Sequence, residues 1–377
     1  MCDVPALRFP EFTEEWNKYL FDDIAQYKKG PFGSALKKEI FVPESNDTIK
    51  IYEQQNAIKK DWKLGRYFIS KDYFINHMQQ FVVKAGDIIV SCAGTIGEMY
   101  ELPQNAISGV FNQALMRVRV NTNLIDKNIF IEVFSSMINT FSKIYSNGSA
   151  IKNIPPFADL KRTVVFIPMK NEQEKISKFI SLIDERIATQ NKIIEKLETL
   201  IKGIIETVIS SQKPNTFIKN CLECDSSTLQ ESQVAENGAY PVYGATGING
   251  YTETADVNGE AILITKDGSG VGTVKFADGE YSYIGTLNRL IAREGYCLKY
   301  LYFALQGFYF EPYKTGMAIP HIYFKDYGKA KIFCPTIEEQ SIIAKSLSVI
   351  ENKISVEKQI LFCNQLQKSY LLSQMLI

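Results

Sequence analysis

The chain has 377 residues, 45% hydrophobic and 12% aromatic, and its 42 basic and 42 acidic side chains leave a formal net charge of zero. That length has room for two packed domains; the composition excludes a chain that is basic overall but leaves room for a local basic face. No run approaches the roughly 18 apolar residues of a membrane span and the opening Met1–Phe12 lacks an apolar leader, so the expectation is a soluble, cytoplasmic protein.

Residues 1–15 read as irregular. From Trp16 the pattern changes to short β-like runs with turn punctuation, and Gly30-Pro31 and Phe32-Gly33-Ser34 mark loops. Phe81–Ser91 reads as strand, turn, strand, followed by Ala93-Gly94-Thr95-Ile96-Gly97. Leu115–Val120 is a further strand, and Ile125–Tyr145 has helical spacing through Ile129, Val133, Met137 and Ile144. Thr163–Ile167 returns as a strand that Pro168 ends.

A long helix is then expected from Asn171 to Gln212. Its apolar residues fall at Ile176, Ile180, Ile183, Ile187, Ile194, Leu197, Ile201, Ile204 and Val208, with Gln190 in the one polar slot. Alternating steps of four and three are a heptad seam, which predicts a partner helix lying alongside. Gly203 costs about 1 kcal/mol of propensity, too little to break such a seam. At about 1.5 Å per residue, some 37 residues make a rod of roughly 55 Å.

After Lys213-Pro214 forbids a continuing helix, the second half replays the first. Glu260–Thr265 is a strand, Asp267–Gly272 a glycine turn, and Asn288–Ala292 takes the place of Asn112–Met116. Leu298–Leu305 is a short helix, Lys331–Phe333 a strand ended by Pro335, and Glu338-Glu339-Gln340 opens the last helix. Phe157/Phe324, Asp159/Asp326, Phe166/Phe333, Pro168/Pro335, Glu172/Glu339, Gln173/Gln340, Ile176/Ile343, Ile183/Ile350 and Ile187/Ile354 are each 167 apart. Gly148/Gly316, Ala150/Ala318, Ile151/Ile319 and Ile154/Ile322 are each 168 apart. The chain therefore reads as a tandem duplication.

The second seam holds Ile343, Leu347, Ile350, Ile354, Leu361, Leu371 and Met375, with polar Glu357, Asn364 and Lys368 in its remaining slots. Polar seam residues cost stability but fix register. Gln190 and Glu357 are repeat equivalents, and an antiparallel pair would bring them together. The expected fold is α+β: two globular recognition domains separated by two long antiparallel helices that form a coiled-coil spacer, with an internal pseudo-two-fold repeat. The expected boundaries are 1–167, 168–212, 213–334 and 335–377.

Catalytic signals are weak. Asn153-Ile154-Pro155-Pro156-Phe157 looks like the Asn-Pro-Pro-Phe motif of adenine-amino methyltransferases, but Ile154 intervenes and His321-Ile322-Tyr323-Phe324 in the repeat keeps neither the Asn nor a proline pair. Gly268-Ser269-Gly270-Val271-Gly272 lacks the Gly-Lys-Ser/Thr ending of a P-loop and reads as a turn between strands. With only His77 and His321, seven scattered cysteines and a lone Cys221/Cys224 pair, no metal site is expected.

Basic residues gather instead, at Lys28, Lys29, Lys37, Lys38, Lys59, Lys60, Lys63 and Arg66. Ser34, Gln54, Gln55 and Asn56 lie among them, polar types able to bond base edges. With Ser91 and Thr95 they make a first candidate DNA-binding set. Tyr243, Thr246, Lys266, Ser269, Lys275, Arg289 and Lys314 are the comparable set in the second half. Two related units on a spacer suit two separated half-sites.

These residues carry a family resemblance over essentially the whole chain. Pro5-Ala6-Leu7-Arg8-Phe9-Pro10-Glu11-Phe12 with Trp16, Ala85–Ser91 with Gly94-Thr95-Ile96-Gly97, and Asn112-Gln113-Ala114-Leu115 are typical of the specificity subunit of type I restriction–modification systems. The more specific signals are Ile167-Pro168 with Glu172-Gln173 and Cys334-Pro335 with Glu339-Gln340, and Tyr240–Gly247 resembles a target-recognition domain of that family. The resemblance implies a non-catalytic chain that reads a bipartite duplex DNA target. It implies further that the helices dock two methyltransferase subunits, that restriction subunits join them, and that methyl donor and ATP are bound by those partners. A stand-alone DNA-binding or anti-restriction protein is the first alternative. A methyltransferase in its own right and an unrelated coiled-coil scaffold are the others.

Overall fold

The computed structural model describes residues 5–145, 157–268, 270–316 and 319–376. The chain divides into two compact units, Met1–Ile187 with Cys363–Ile377, and Ala188–Phe362. The helices of eight residues or more among the described residues are α1 (Lys127–Tyr145), α2 (Lys170–Ile205), α3 (Leu298–Gln306) and α4 (Ile337–Met375). Asn153-Ile154-Pro155-Pro156 lies outside the described residues.

Unit 1 carries strands β1 (Asn17–Leu20), β2 (Ala25–Lys29), β3 (Thr48–Tyr52), β4 (Phe68–Ser70), β5 (Val82–Val83), β6 (Ile88–Ser91), β7 (Met99–Glu101), β8 (Gly109–Phe111), β9 (Leu115–Val120) and β10 (Val164–Ile167). They form a four-stranded sheet in the order β2-β9-β6-β7, a second in the order β4-β3-β8-β5, and the pair β1-β10. The first sheet is antiparallel, whereas β3 and β8 run parallel in the second.

Of the two central strands of the first sheet, β6 is buried on both faces because both are covered, whereas β9 carries Arg117 and Arg119 between its apolar residues. Ile88, Val90, Met116 and Val118 pack with Ile129, Phe130 and Phe134 of α1, while Ile89 and Leu115 pack with Tyr52, Val83 and Phe111 of the second sheet. Each such fully buried side chain contributes roughly 1.5–3 kcal/mol. The base of α1 is tied to the base of α2 by Gln173, whose amide donates to the carbonyls of Leu124 and Pro168 and accepts from Asp126 N.

Unit 2 repeats this plan with β11 (Thr216–Phe217), β12 (Leu222–Ser226), β13 (Tyr240–Gly244), β14 (Gly247–Thr252), β15 (Val257–Asn258), β16 (Ala261–Thr265), β17 (Val274–Ala277), β18 (Glu280–Tyr283), β19 (Leu287–Ala292) and β20 (Lys331–Ile332). The sheets are β12-β19-β16-β17, β14-β13-β18-β15 and β11-β20. Every strand of unit 1 thus has its counterpart ten strands later, with the same neighbours. Ile262, Ile264 and Leu290 pack on α3, whereas Ala261, Leu263 and Leu287 pack on Tyr281 and Tyr283. Gln340 does for α3 and α4 what Gln173 does in unit 1, donating to Pro335 O and accepting from Cys297 N.

The pairing register corrects one sequence equivalence. Ser91 lies opposite Leu115, and Thr265 opposite Leu287. Asn288 therefore corresponds to Met116, inside the strand, and not to Asn112, which precedes its strand. The repeated Asn-aliphatic pattern misled because loops of unequal length shift the register between the two halves.

Each unit contains its own stretch of paired helix, antiparallel in both. In unit 1, Ile176 and Ile180 of α2 are buried with Met375 of α4, and Lys368 of α4 bonds both Asp184 and Glu132 at 2.7 and 2.6 Å. Ile183 and Ile187 are half-buried. In unit 2, Ile194 and Ile201 share a core with Leu347 and Ile354, and Leu197, Ile343, Ile350 and Leu361 flank it. Gln190 and Glu357 are both buried, and the Gln190 amide donates to the Glu357 carboxylate and to its carbonyl.

The end of α2 departs from expectation. Regular helix stops at Ile205, and Glu206–Ser210 form a π-helical turn. Ile205 and Ile209 are buried there, while Val208 is exposed and Ile204 only half-buried. A straight helix drifts relative to a strict seven-residue repeat, and the wide turn adds to the drift. The seam thereby moves one residue along, bringing Ile205 against Gly307.

Candidate nucleic-acid interface

In unit 1 several loops meet at one end of the β2-β9-β6 sheet. Gly30, just past β2, donates to Leu115 O at 2.9 Å. A side chain there would meet Asn112 O at 2.0 Å, so the close approach requires glycine. Cys92, just past β6, donates to Ala114 O at 2.8 Å. The Gly94-Thr95-Ile96-Gly97 turn closes when Gly97 N donates to Ser91 O at 2.9 Å, with both glycines at positive φ. Gln54, from the short helix Gln54–Ile58, braces this turn by donating to the carbonyls of Ala93 and Thr95.

The candidates from sequence fall into two kinds. Lys29, Ser34, Lys37, Lys38, Lys59, Lys63, Arg66 and Thr95 are exposed. Lys28 is half-buried, donates to Gln80 Oε1 at 2.8 Å and lies 5.2 Å from the Phe81 ring centre. Lys60 is exposed and bonds Glu98 at 2.9 Å. Asn56 and Ser91, by contrast, are fully buried. The Asn56 side chain accepts from Glu53 N and donates to Asp61 O and Leu64 O, and Ser91 Oγ accepts from Glu98 N. Those two side chains build the loops rather than face outward. Spacing could not separate them from their exposed neighbours.

Unit 2 forms the same kind of surface at the same end of its sheet. Lys266 N donates to Thr286 O as Cys92 does to Ala114 O, and Gly272 N donates to Thr265 O as Gly97 does to Ser91 O. Gly268 and Gly272 have positive φ, as the turn reading expected. Ser269 lies outside the described residues. Tyr243 is half-buried edge-on to Tyr281, and Ile284 N donates to its carbonyl at 3.0 Å. Thr246 is exposed in the hairpin that follows. Lys275 donates to Gly244 O and Ala245 O at 3.3 and 2.8 Å, and burial holds its ammonium below the ordinary lysine range.

Arg289 bonds Asp225 at 3.0 Å, and Lys314 bonds Glu311. Lys266 reaches Ser226 Oγ at 3.3 Å, and that hydroxyl donates to Asn288 Oδ1. His321 exchanges backbone hydrogen bonds with Thr315 and lies in a bridge with Asp267. Ser226 and His321 were not among the sequence candidates. They come from distant stretches that carry no motif, and only the strand pairing brings them here.

Exposed lysines, hydroxyls and glycine turns on a rigid sheet end can hold phosphates and meet base edges. Among the described residues no group of three or more His, Cys, Asp or Glu is placed to hold a metal, and no helix is long and apolar enough to cross a membrane. The family model described as the type I restriction modification DNA specificity domain matches residues 13–199 and 222–362. A crystal structure of a type I restriction–modification system S subunit from M. genitalium is similar at a TM-score of 0.57 and 18% identity, covering 99% of each chain. A structure reported for complex assembly and conformational transition of the type I R-M system is similar at 0.55 and 14% identity, covering 96% of each chain.

Proposed function

We propose, for a chain that belongs to the type I restriction–modification DNA specificity family, that each unit reads one half of a bipartite duplex target through its loop-bearing sheet end. The observation that carries this is the repetition of one anchored loop set in both units, with Cys92/Lys266 and Gly97/Gly272 bonded alike. Lys29, Ser34, Lys37, Lys38, Gln54, Lys60 and Thr95 serve unit 1, and Tyr243, Thr246, Lys266, Arg289 and Lys314 serve unit 2. The chain is a recognition subunit and not the catalyst. Methyl donor and ATP belong to the methyltransferase and restriction subunits it docks.

Docking falls to the long helices. The outer surface of α2 is rich in Lys and Glu, whereas that of α4 is more apolar. Ile342, Val349 and Val356 recur every seven residues and are 66%, 65% and 47% exposed, a second heptad row turned away from the first. This row supports α4 as the methyltransferase contact.

Single-molecule methylation sequencing of the host, with the gene and without it, tests the reading. The expected result is a two-part adenine-methylated motif that disappears with the gene. An unchanged methylome, together with a purified chain that brings down no methyltransferase, would favour the stand-alone DNA-binding reading.

A further inference from the structure

Phe32 is 90% exposed, more than any other large apolar side chain among the described residues. It is not on a loose tip. Before it, Gly30 is locked against Asn112 and the following Pro31 is buried. After it, Ala35 N donates to the Phe32 carbonyl at 2.9 Å, Leu36 N to Gly33 O, and Tyr73 Oη to Ala35 O at 2.8 Å. Leu36 is buried. The loop is therefore rooted on both sides and holds one aromatic ring out into water. Exposed Lys29, Ser34, Lys37 and Lys38 surround it in sequence.

A bare ring on a fixed backbone among cations fits an anionic partner that also offers flat apolar surfaces. Stacked bases between phosphates are that partner. We propose that Phe32 is a wedge that inserts at a base step of duplex DNA, in or beside the half-site of unit 1; this rests on the DNA reading above. The lysines hold the flanking phosphates while the ring replaces part of the base stacking. Unstacking is easiest at pyrimidine–purine steps, so the wedge favours such a step without bonding any base edge. No cofactor and no bond making is involved.

The test uses the full chain purified from its own host with whatever subunits accompany it. Duplexes enriched from a random pool by the wild-type preparation carry 2-aminopurine at successive positions. The wild type raises the emission at one step. Phe32→Ala removes that signal and weakens binding about 10- to 100-fold, with the melting midpoint and the salt dependence unchanged. Phe32→Leu keeps an intermediate share of both. Lys38→Ala, in contrast, lowers the slope of log affinity against log salt by about one.

Wild-type affinity and emission in Phe32→Ala, with Lys38→Ala still impaired, would overturn the wedge and leave the DNA reading standing. Loss of accompanying subunits with unchanged DNA affinity would also overturn it, making Phe32 a protein contact. Failure of the wild type to enrich any duplex would remove both.

Discussion

At the scale of single residues, the polar slots of the helix seams have different physical roles. Lys368 sits in its slot because two carboxylates meet it there; burial alone would lower its pKa, and the pairs with Asp184 and Glu132 raise it on balance. Asn364 is 4% exposed, and its Nδ2 finds no hydrogen-bond partner among the described residues. A buried donor left unpaired costs about 1–3 kcal/mol. Asn364→Leu is accordingly expected to stabilise the protein, with the melting midpoint rising by a few degrees in calorimetry; an unchanged or lower midpoint would show that the amide is satisfied. Glu172 illustrates what sequence reveals only in part. It was visible as half of a repeated Glu-Gln pair, but its partner Arg8, bonded twice at 2.7 Å, lies far upstream, whereas its equivalent Glu339 caps its own helix through Thr336.

At the scale of elements, the helices were the most legible part because a heptad states its own geometry. The α2 seam could be read residue by residue as far as Ile201. Beyond it the drift of a straight helix and the π-helical turn at Glu206–Ser210 changed which side chains are buried, and no local pattern announces that. The Gln190–Glu357 link was foreseeable from repeat equivalence alone. Lys353 first, then Gln190, hold the Glu357 carboxyl below the usual glutamate range. Its contribution is therefore present above the unfolded carboxylate pKa of about 4.3 and fades as pH falls through the lower folded value. Glu357→Gln should flatten the acid side of a stability–pH curve below about pH 4.3, measured by thermal melts. An acid limb as steep as the wild type's would assign the loss to other carboxylates. If α2 and α4 set the distance between half-sites, four residues added in register to each should lengthen the unread gap by one or two base pairs, since one turn is about 5.4 Å. A methylation map with unchanged spacing would refute the ruler.

At the scale of the whole molecule, the duplication was legible as a register of 167 and 168 residues, and the strand order repeats it element for element. The candidate interface was less legible. Charge and residue type pointed to loops that the fold brings to one end of the sheet, but could not tell exposed Thr95 from buried Asn56, because burial is decided by which loop folds over which. Arg117 and Arg289 illustrate the point. They occupy matching strand positions, opposite Ile89 and Leu263 respectively, and both sit in a Leu-x-Arg-aliphatic stretch, but they are 172 residues apart and so fall outside the register of 167 and 168. If each unit reads its own half-site, replacing residues 16–150 with those of a relative should alter one half of the methylated motif. Changes in both halves would mean that the units do not read independently.

The division of unit 1 into two separated stretches also orders events in time. Ala188–Phe362 is continuous, so everything unit 2 needs has been synthesised once Phe362 emerges. Unit 1 still lacks Lys368, which ties α1 to α2, and Met375, which completes the core around Ile176 and Ile180. The first unit to be made is thus the last that can close. Until then α2 in that unit packs only on the first stretch of the chain, and the side it turns to Met375 and Lys368 is still without its cover.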